Sequence, residues 1–165
     1  MSKIVPMTLA LIAALAVPAI GHAKAPAKAQ GKTCAPVTTA AVESQFKLFN
    51  DAFATKNPDT VTALFAKDGV LLATVSNTPR TTPEAIKDYF VSFLKGAPVG
   101  TINTSTVKLG CNMAARMGTW TVALTNQNSG MRNDVKARYT FIYTYENGAW
   151  KIAHLHSSMM PIPAA

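Results

Sequence analysis

Histidine and cysteine are scarce in this chain, with three of the first and two of the second among 165 residues. His22 lies in the first stretch, so His154 and His156 are the imidazoles left beyond it. A zinc site takes three or four protein ligands, and two rings do not supply them, although a His-x-His pair on a strand puts both on one face. No metal and no other cofactor is expected. Blocks of basic residues are missing as well. A nucleic-acid surface gathers Lys and Arg on one face with aromatics between them, whereas twelve of the sixteen basic residues here are scattered singly from Lys47 to Lys151. Nucleic acid is not an expected partner. No internal repeat is visible.

What is present begins with an export signal. Lys3 is followed by an uncharged apolar run from Ile4 to Ile20, and Gly21-His22-Ala23 has the small residues a signal peptidase accepts. The alternative, a membrane anchor, has to accommodate Pro6 and Pro18 in a run short for a bilayer, which needs about 20 apolar residues. Residues 1–23 are read as a cleaved signal peptide and residues 24–33, built from Ala, Lys, Pro, Gln and Gly, as a flexible leader with little to bury. The expected location is periplasmic or secreted, with no membrane contact after cleavage. The formal charge of +8 includes Lys3, Lys24, Lys28 and Lys32, and falls to +4 without them. Residues 34–162, about 130 in number, suffice for one core.

Cys34 and Cys111 both fall in the exported part, and an even count in an oxidising compartment favours a disulfide between them. Such a bridge would staple the leader to the sheet and contribute about 2–4 kcal/mol if unstrained. Two unpaired buried thiols are the alternative.

Hydrophobic spacing then outlines the elements. Val42, Phe46, Phe49 and Phe53 recur at steps of four, three and four, which places them on one stripe of a helix over Ala41 to Lys56. Asn57-Pro58 opens a second helix with Val61, Leu64 and Phe65 inward. Val70 to Val75 reads as a strand. Thr82-Pro83-Glu84 starts a third helix carrying Ile86, Tyr89, Phe90 and Phe93, with Gly96 as its stop. The remainder, rich in Thr, Val and Tyr and broken by glycines, predicts strands at Thr104 to Leu109, Cys111 to Met117, Thr119 to Asn126, Val135 to Glu146 and Trp150 to Ser158. Glu146-Asn147-Gly148 turns the last two into a hairpin. Helices first and strands afterwards predict an α+β domain, a curved antiparallel sheet wrapped around helices and enclosing a pocket.

The segments "DTVTALFAKDGVLL", "PEAIKDYFVSFL" and "ARYTFIYTYENGAWKIAHLHSSMMP", in this order, resemble the nuclear transport factor 2-like superfamily of cystatin-like cone folds. Within it the resemblance is to bacterial exported relatives of the calcium/calmodulin-dependent protein kinase II association domain, also grouped with SnoaL-like proteins. It implies a cone with a deep pocket and pairing into a homodimer through the sheet. The arginines that line the kinase hub's pocket do not carry over, because Ser157 and Phe141 stand where two of them would fall. No kinase segment accompanies the domain.

Strand alternation puts Trp150, Ile152, His154 and His156 on one face, and Ala153, Leu155 and Ser157 on the other. Arg138, Thr140 and Ile142 oppose Tyr139, Phe141, Tyr143 and Tyr145 in parity. Either the tyrosines line the inside while Arg138 and the histidines face a partner, or the polar set faces the cavity; a bulge would shift the parity. His154 or His156 is a candidate general base, with Tyr139 or Arg138 stabilising an oxyanion, against the plainer reading that the histidines bond neighbouring strands. From Thr101 onward the acids are Asp134 and Glu146, both beside turns, which argues against a carboxylate base. Arg80 lies in a loop expected at the cavity mouth, where it contacts an anionic ligand or is simply solvated. The functional expectation is a homodimeric domain binding a small, partly apolar molecule through Arg138, Tyr139, Arg80 and Ser157. A lyase, isomerase or cyclase with a histidine base, and an oligomerisation module without catalysis, are the alternatives.

Overall fold

A computed structural model of the chain describes residues 33–161. Residues 1–32, which hold the stretch read as a signal peptide and nearly all of the one read as a leader, lie outside the described residues. Helix α1 spans Thr39–Ala54, with the Thr38 hydroxyl accepting from the Ala41 amide. Its stripe of Val42, Phe46, Phe49 and Phe53 is buried, as the spacing predicts. Helix α2 is a single short piece, Pro58–Thr62, capped by Asn57, whose side chain accepts from the Asp59 amide. It stops earlier than its apolar pattern suggests. Phe65 belongs to strand β1, Phe65–Leu72, where it pairs with Ile152, so its burial comes from a sheet and not from a helix face. A short run of apolar residues carries no period long enough to separate the two cases.

Thr82 caps α3, Pro83–Phe93, by accepting from the Ala85 amide. A 3-10 turn, Leu94–Gly96, extends it, and the left-handed residue that ends it is Ala97, with φ 44°. Gly96 therefore does not supply the stop. A Cβ there would lie 3.2 Å from Leu124 Cδ2, so its small size serves packing.

Strands β2 (Val99–Gly110), β3 (Met113–Thr125), β4 (Arg132–Glu146) and β5 (Ala149–Met159) form an antiparallel meander, and β1 joins its end in parallel with β5. The sheet order is β1-β5-β4-β3-β2. Cys111 and Asn112 make the turn between β2 and β3 instead of opening a strand. The two strands expected around Gly118 are one, because Gly118 answers a bulge in β2, where the register skips from Ile102 to Thr104. A Cβ at Gly118 would run into the Thr104 backbone. The β4–β5 hairpin turns at Asn147 and Gly148, φ 51° and 82°, in agreement with the Asn-Gly signal.

Helices α1 and α3 cover one face of the sheet through aromatic contacts such as Phe46 with Trp120, Phe49 with Phe141 and Phe90 with Phe65. Asn50 fastens α1 to β2 by donating to the Gly100 carbonyl at 3.0 Å and accepting from the Gly100 amide at 2.8 Å. The segment ahead of α1 is held to the β2–β3 turn by the Cys34–Cys111 disulfide, with Cα atoms 4.9 Å apart, and by the Ala35 amide donating to Asn112 Oδ1 at 2.7 Å.

Candidate functional site

A second bulge decides which side chains of the last hairpin face inward. Tyr143 pairs with Ile152 but Ile142 pairs with His154, so Ala153 is the extra residue. Before the bulge Trp150 and Ile152 share the inner face; after it Leu155 and Ser157 take that face and the histidines turn outward. The expectation that Trp150, Ile152, His154 and His156 share a face is thus corrected by one inserted residue. On β4, Ala137, Tyr139, Phe141 and Tyr143 are buried on the inner face, while Arg138 is exposed on the outer one. The proposed site residues divide accordingly: Tyr139 and Ser157 inside, Arg138, His154 and His156 outside.

Inside, the hydroxyls of Tyr139 and Ser157 are already engaged. Tyr139 donates to the Thr104 carbonyl at 3.0 Å, next to the β2 bulge. Ser157 Oγ accepts from Trp120 Nε1 at 2.9 Å and is hydrogen-bonded to Thr74 Oγ1. Above them a slot walled by Phe53, Tyr89, Phe93 and Val122 has a volume of about 20 Å3. That is room for roughly one water, whereas sites for drug-sized ligands run to several hundred Å3. A larger hollow, about 300 Å3, lies at the rim, between the loop after β1 (Thr74, Asn77, Pro79) and the end of β5 (His156, Ser158, Met159).

Arg80 lines neither hollow, although Leu71, the residue it pairs with, lines the slot. Its backbone pairs with Leu71 in both directions, at 2.8 and 2.9 Å, and its Nη2 reaches Ser76 Oγ at 3.5 Å. It is half-buried, and its Nε has no hydrogen-bond partner among the described residues. Burial raises the Tyr89 phenol well above its ordinary range, and the Arg80 charge offsets a smaller part. Tyr89 is therefore neutral, a donor and not a base.

On the outer face the His154 and His156 rings lie 6.4 Å apart. His154 sits between Val70 and Ile142, and His156 between Leu72 and Thr140. Burial lowers the His154 pKa, and the neighbouring His156 lowers it further. Neither histidine nor Arg138 forms an ion pair among the described residues. No third His, Cys, Asp or Glu joins them to make a metal site among those residues. As a base, His154 would work on the open sheet face and His156 at the edge of the rim hollow, neither within an enclosure that keeps water from a reacting group.

Arg116 escaped the sequence reading. It is buried on the inner face of β3, in register opposite Phe141, with its guanidinium carbon 5.7 Å from the Phe46 ring centre. The signal was available, since Arg116 shares the parity of Trp120, but counting parity from Trp120 needs β3 to run unbroken through Gly118.

The family model described as calcium/calmodulin dependent protein kinase II association domain matches residues 39–161. A Xanthomonas campestris structure described as such an association domain is 43% identical, with 79% of this chain and 96% of that one covered and a TM-score of 0.72. A nuclear transport factor 2-like protein with a cystatin-like fold from Novosphingobium aromaticivorans is 11% identical, covering 76% of this chain and 83% of that one at TM-score 0.62. A ketosteroid isomerase-like protein from Erwinia carotovora is 16% identical, covering 74% and 96% at TM-score 0.62. At the last two identities the likeness concerns the fold alone. No curated protein matches the chain.

Proposed function

Since the chain belongs to the calcium/calmodulin dependent protein kinase II association domain family, we propose that it is an exported assembly domain whose open sheet face joins two copies. One observation carries this reading. Helices cover the inner face of the sheet, while the outer face presents Val70, Leu72, Ala115, Met117, Ile142 and His154, half-buried and without an acid among them. A two-fold axis brings the same patch against itself, and two sheets stacking this way bury their apolar rows at about 10 Å spacing. The six residues named include no Lys, Arg, Asp or Glu and meet their own copies without repulsion, while the exposed Lys108, opposite Ala115, and Arg138 stand on the same face around them. The Cys34–Cys111 disulfide fits an oxidising compartment.

Mass in solution tests the assembly. Sedimentation of the signal-free chain at micromolar concentration is expected to give a dimer or a larger closed assembly, and Ile142→Glu, which places a charge at the patch centre, is expected to give monomer. A monomeric parent chain, or an Ile142→Glu variant that associates as the parent does, removes the proposal.

The rim groove supports a second role, small-molecule binding. Its walls offer amide and hydroxyl groups from Asn77, Thr78 and Ser158 beside His156 and the apolar Leu72 and Pro79, a mixture suited to a small neutral polar ligand. A thermal-shift screen of such compounds checks it: stabilisation that His156→Ala weakens supports the role, and a screen without any stabilising compound rejects it. Catalysis gains less support, because His154 lies on an open face, His156 only borders the rim groove, and neither acid of β4, Asp134 or Glu146, is among their paired neighbours.

A further inference from the structure

Arg116 is a positive charge without a negative partner. It is 7% exposed, and the ion pairs among the described residues are Lys47–Asp51 and Lys87–Asp59. A guanidinium stays protonated throughout the pH range of a folded protein. Its Nε–H donates to Ser105 Oγ at 2.9 Å and an Nη1–H donates to the Glu43 carbonyl at 3.1 Å. Both acceptors are neutral, as is the Phe46 ring beside the guanidinium. The fork carries five N–H donors, so these two bonds leave three free, one on Nη1 and two on Nη2, and Nη2 is not among the fully buried unpartnered atoms. Buried charges are ordinarily paired, since neutral dipoles return only part of the hydration lost.

Tyr143 supplies the second observation. It is 1% exposed, and its hydroxyl has no hydrogen-bond partner among the described residues. Ala114 stands opposite Tyr143 and Arg116 opposite Phe141, so Arg116 and Tyr143 are diagonal neighbours on the inner face. Burial holds the phenol protonated, with the Arg116 charge acting on it in the opposite sense. Among the described residues, a buried O–H donor without an acceptor thus neighbours a largely buried cation without an anion, a pairing that one negatively charged acceptor would answer.

We propose that Arg116 and Tyr143 form a site for a small monovalent anion, a halide or the carboxylate of a small acid, held by the free guanidinium N–H groups and the phenol O–H. The site occupies the end of the inner face toward the β2–β3 turn, away from the slot above Trp120 and Ser157. It depends on neither the outer face nor the rim groove.

Thermal unfolding of the signal-free chain at constant ionic strength tests it, with sodium bromide or sodium acetate replacing bulky sodium gluconate. The parent chain is expected to gain several degrees in a saturable way, as selective binding to the folded state requires. Arg116→Met is expected to abolish the gain. That variant also loses the bonds to Ser105 and Glu43, so Tyr143→Phe carries the decision: it keeps the ring, removes the orphan hydroxyl, and is expected to shift half-saturation several-fold upward. Bromide and acetate acting alike mark a free-ion site, and acetate alone marks the carboxylate of an organic acid. No saturable gain with either salt, or a Tyr143→Phe response equal to the parent's, overturns the proposal.

Discussion

His154 shows how far a single side chain's behaviour follows from its neighbours. Val70 and Ile142 flank it and His156 stands beside it, so protonation costs lost hydration and is further opposed by the neighbouring imidazole. Its pKa falls below the ordinary 6.5. In the unfolded chain the ring takes a proton near that value, and in the fold only at lower pH. The unfolded state therefore binds more protons in the window below 6.5, and stability falls as pH drops through it. Urea unfolding midpoints taken from about pH 7.5 down to about pH 5 are expected to decline, and His154→Asn is expected to decline less. Equal declines in the two chains would refute the account. The ring types and their alternation were readable from the sequence. Their direction was not, because a single bulge residue, Ala153, reverses it. The same holds for Tyr139 and Ser157, which read as free polar groups but whose hydroxyls serve Thr104, Trp120 and Thr74 across distant strands.

Among the elements, the helices were the legible part and the strands the harder one. The α1 stripe, the Thr82 cap and the Asn-Gly hairpin are local features, decided within a turn or two of chain, and each stands where its pattern indicates. Gly118 was misread because a glycine among β-branched residues signals a turn and a close backbone approach equally well. The difference lies in β2, fourteen residues earlier at Thr104. Gly118→Ala is expected to cost about 3 kcal/mol, the upper range for overpacking, since the added methyl meets backbone and not a flexible side chain. Chemical denaturation measures it, and a loss under about 1 kcal/mol would mean that the bulge yields. Such a variant would also disturb Tyr139, whose hydroxyl bonds the same carbonyl.

At the scale of the fold, composition and the order of elements determined the class among the described residues: three helices ahead of a strand-rich half, one core, two cysteines that pair. These follow from local propensity and from counting, which need no partner in space. Tertiary structure alone decided how much of the cone is hollow, because the volume left between helices and sheet is the small difference between two large packed surfaces. Here the aromatic rings nearly fill it, leaving about 20 Å3 in the slot, and the larger space lies at the rim. Tertiary structure also decided that the histidines face outward and that Arg116 is buried against Glu43, Ser105 and Phe46. A face is a property of a strand only until a bulge intervenes, and where the bulges fall depends on which strands meet.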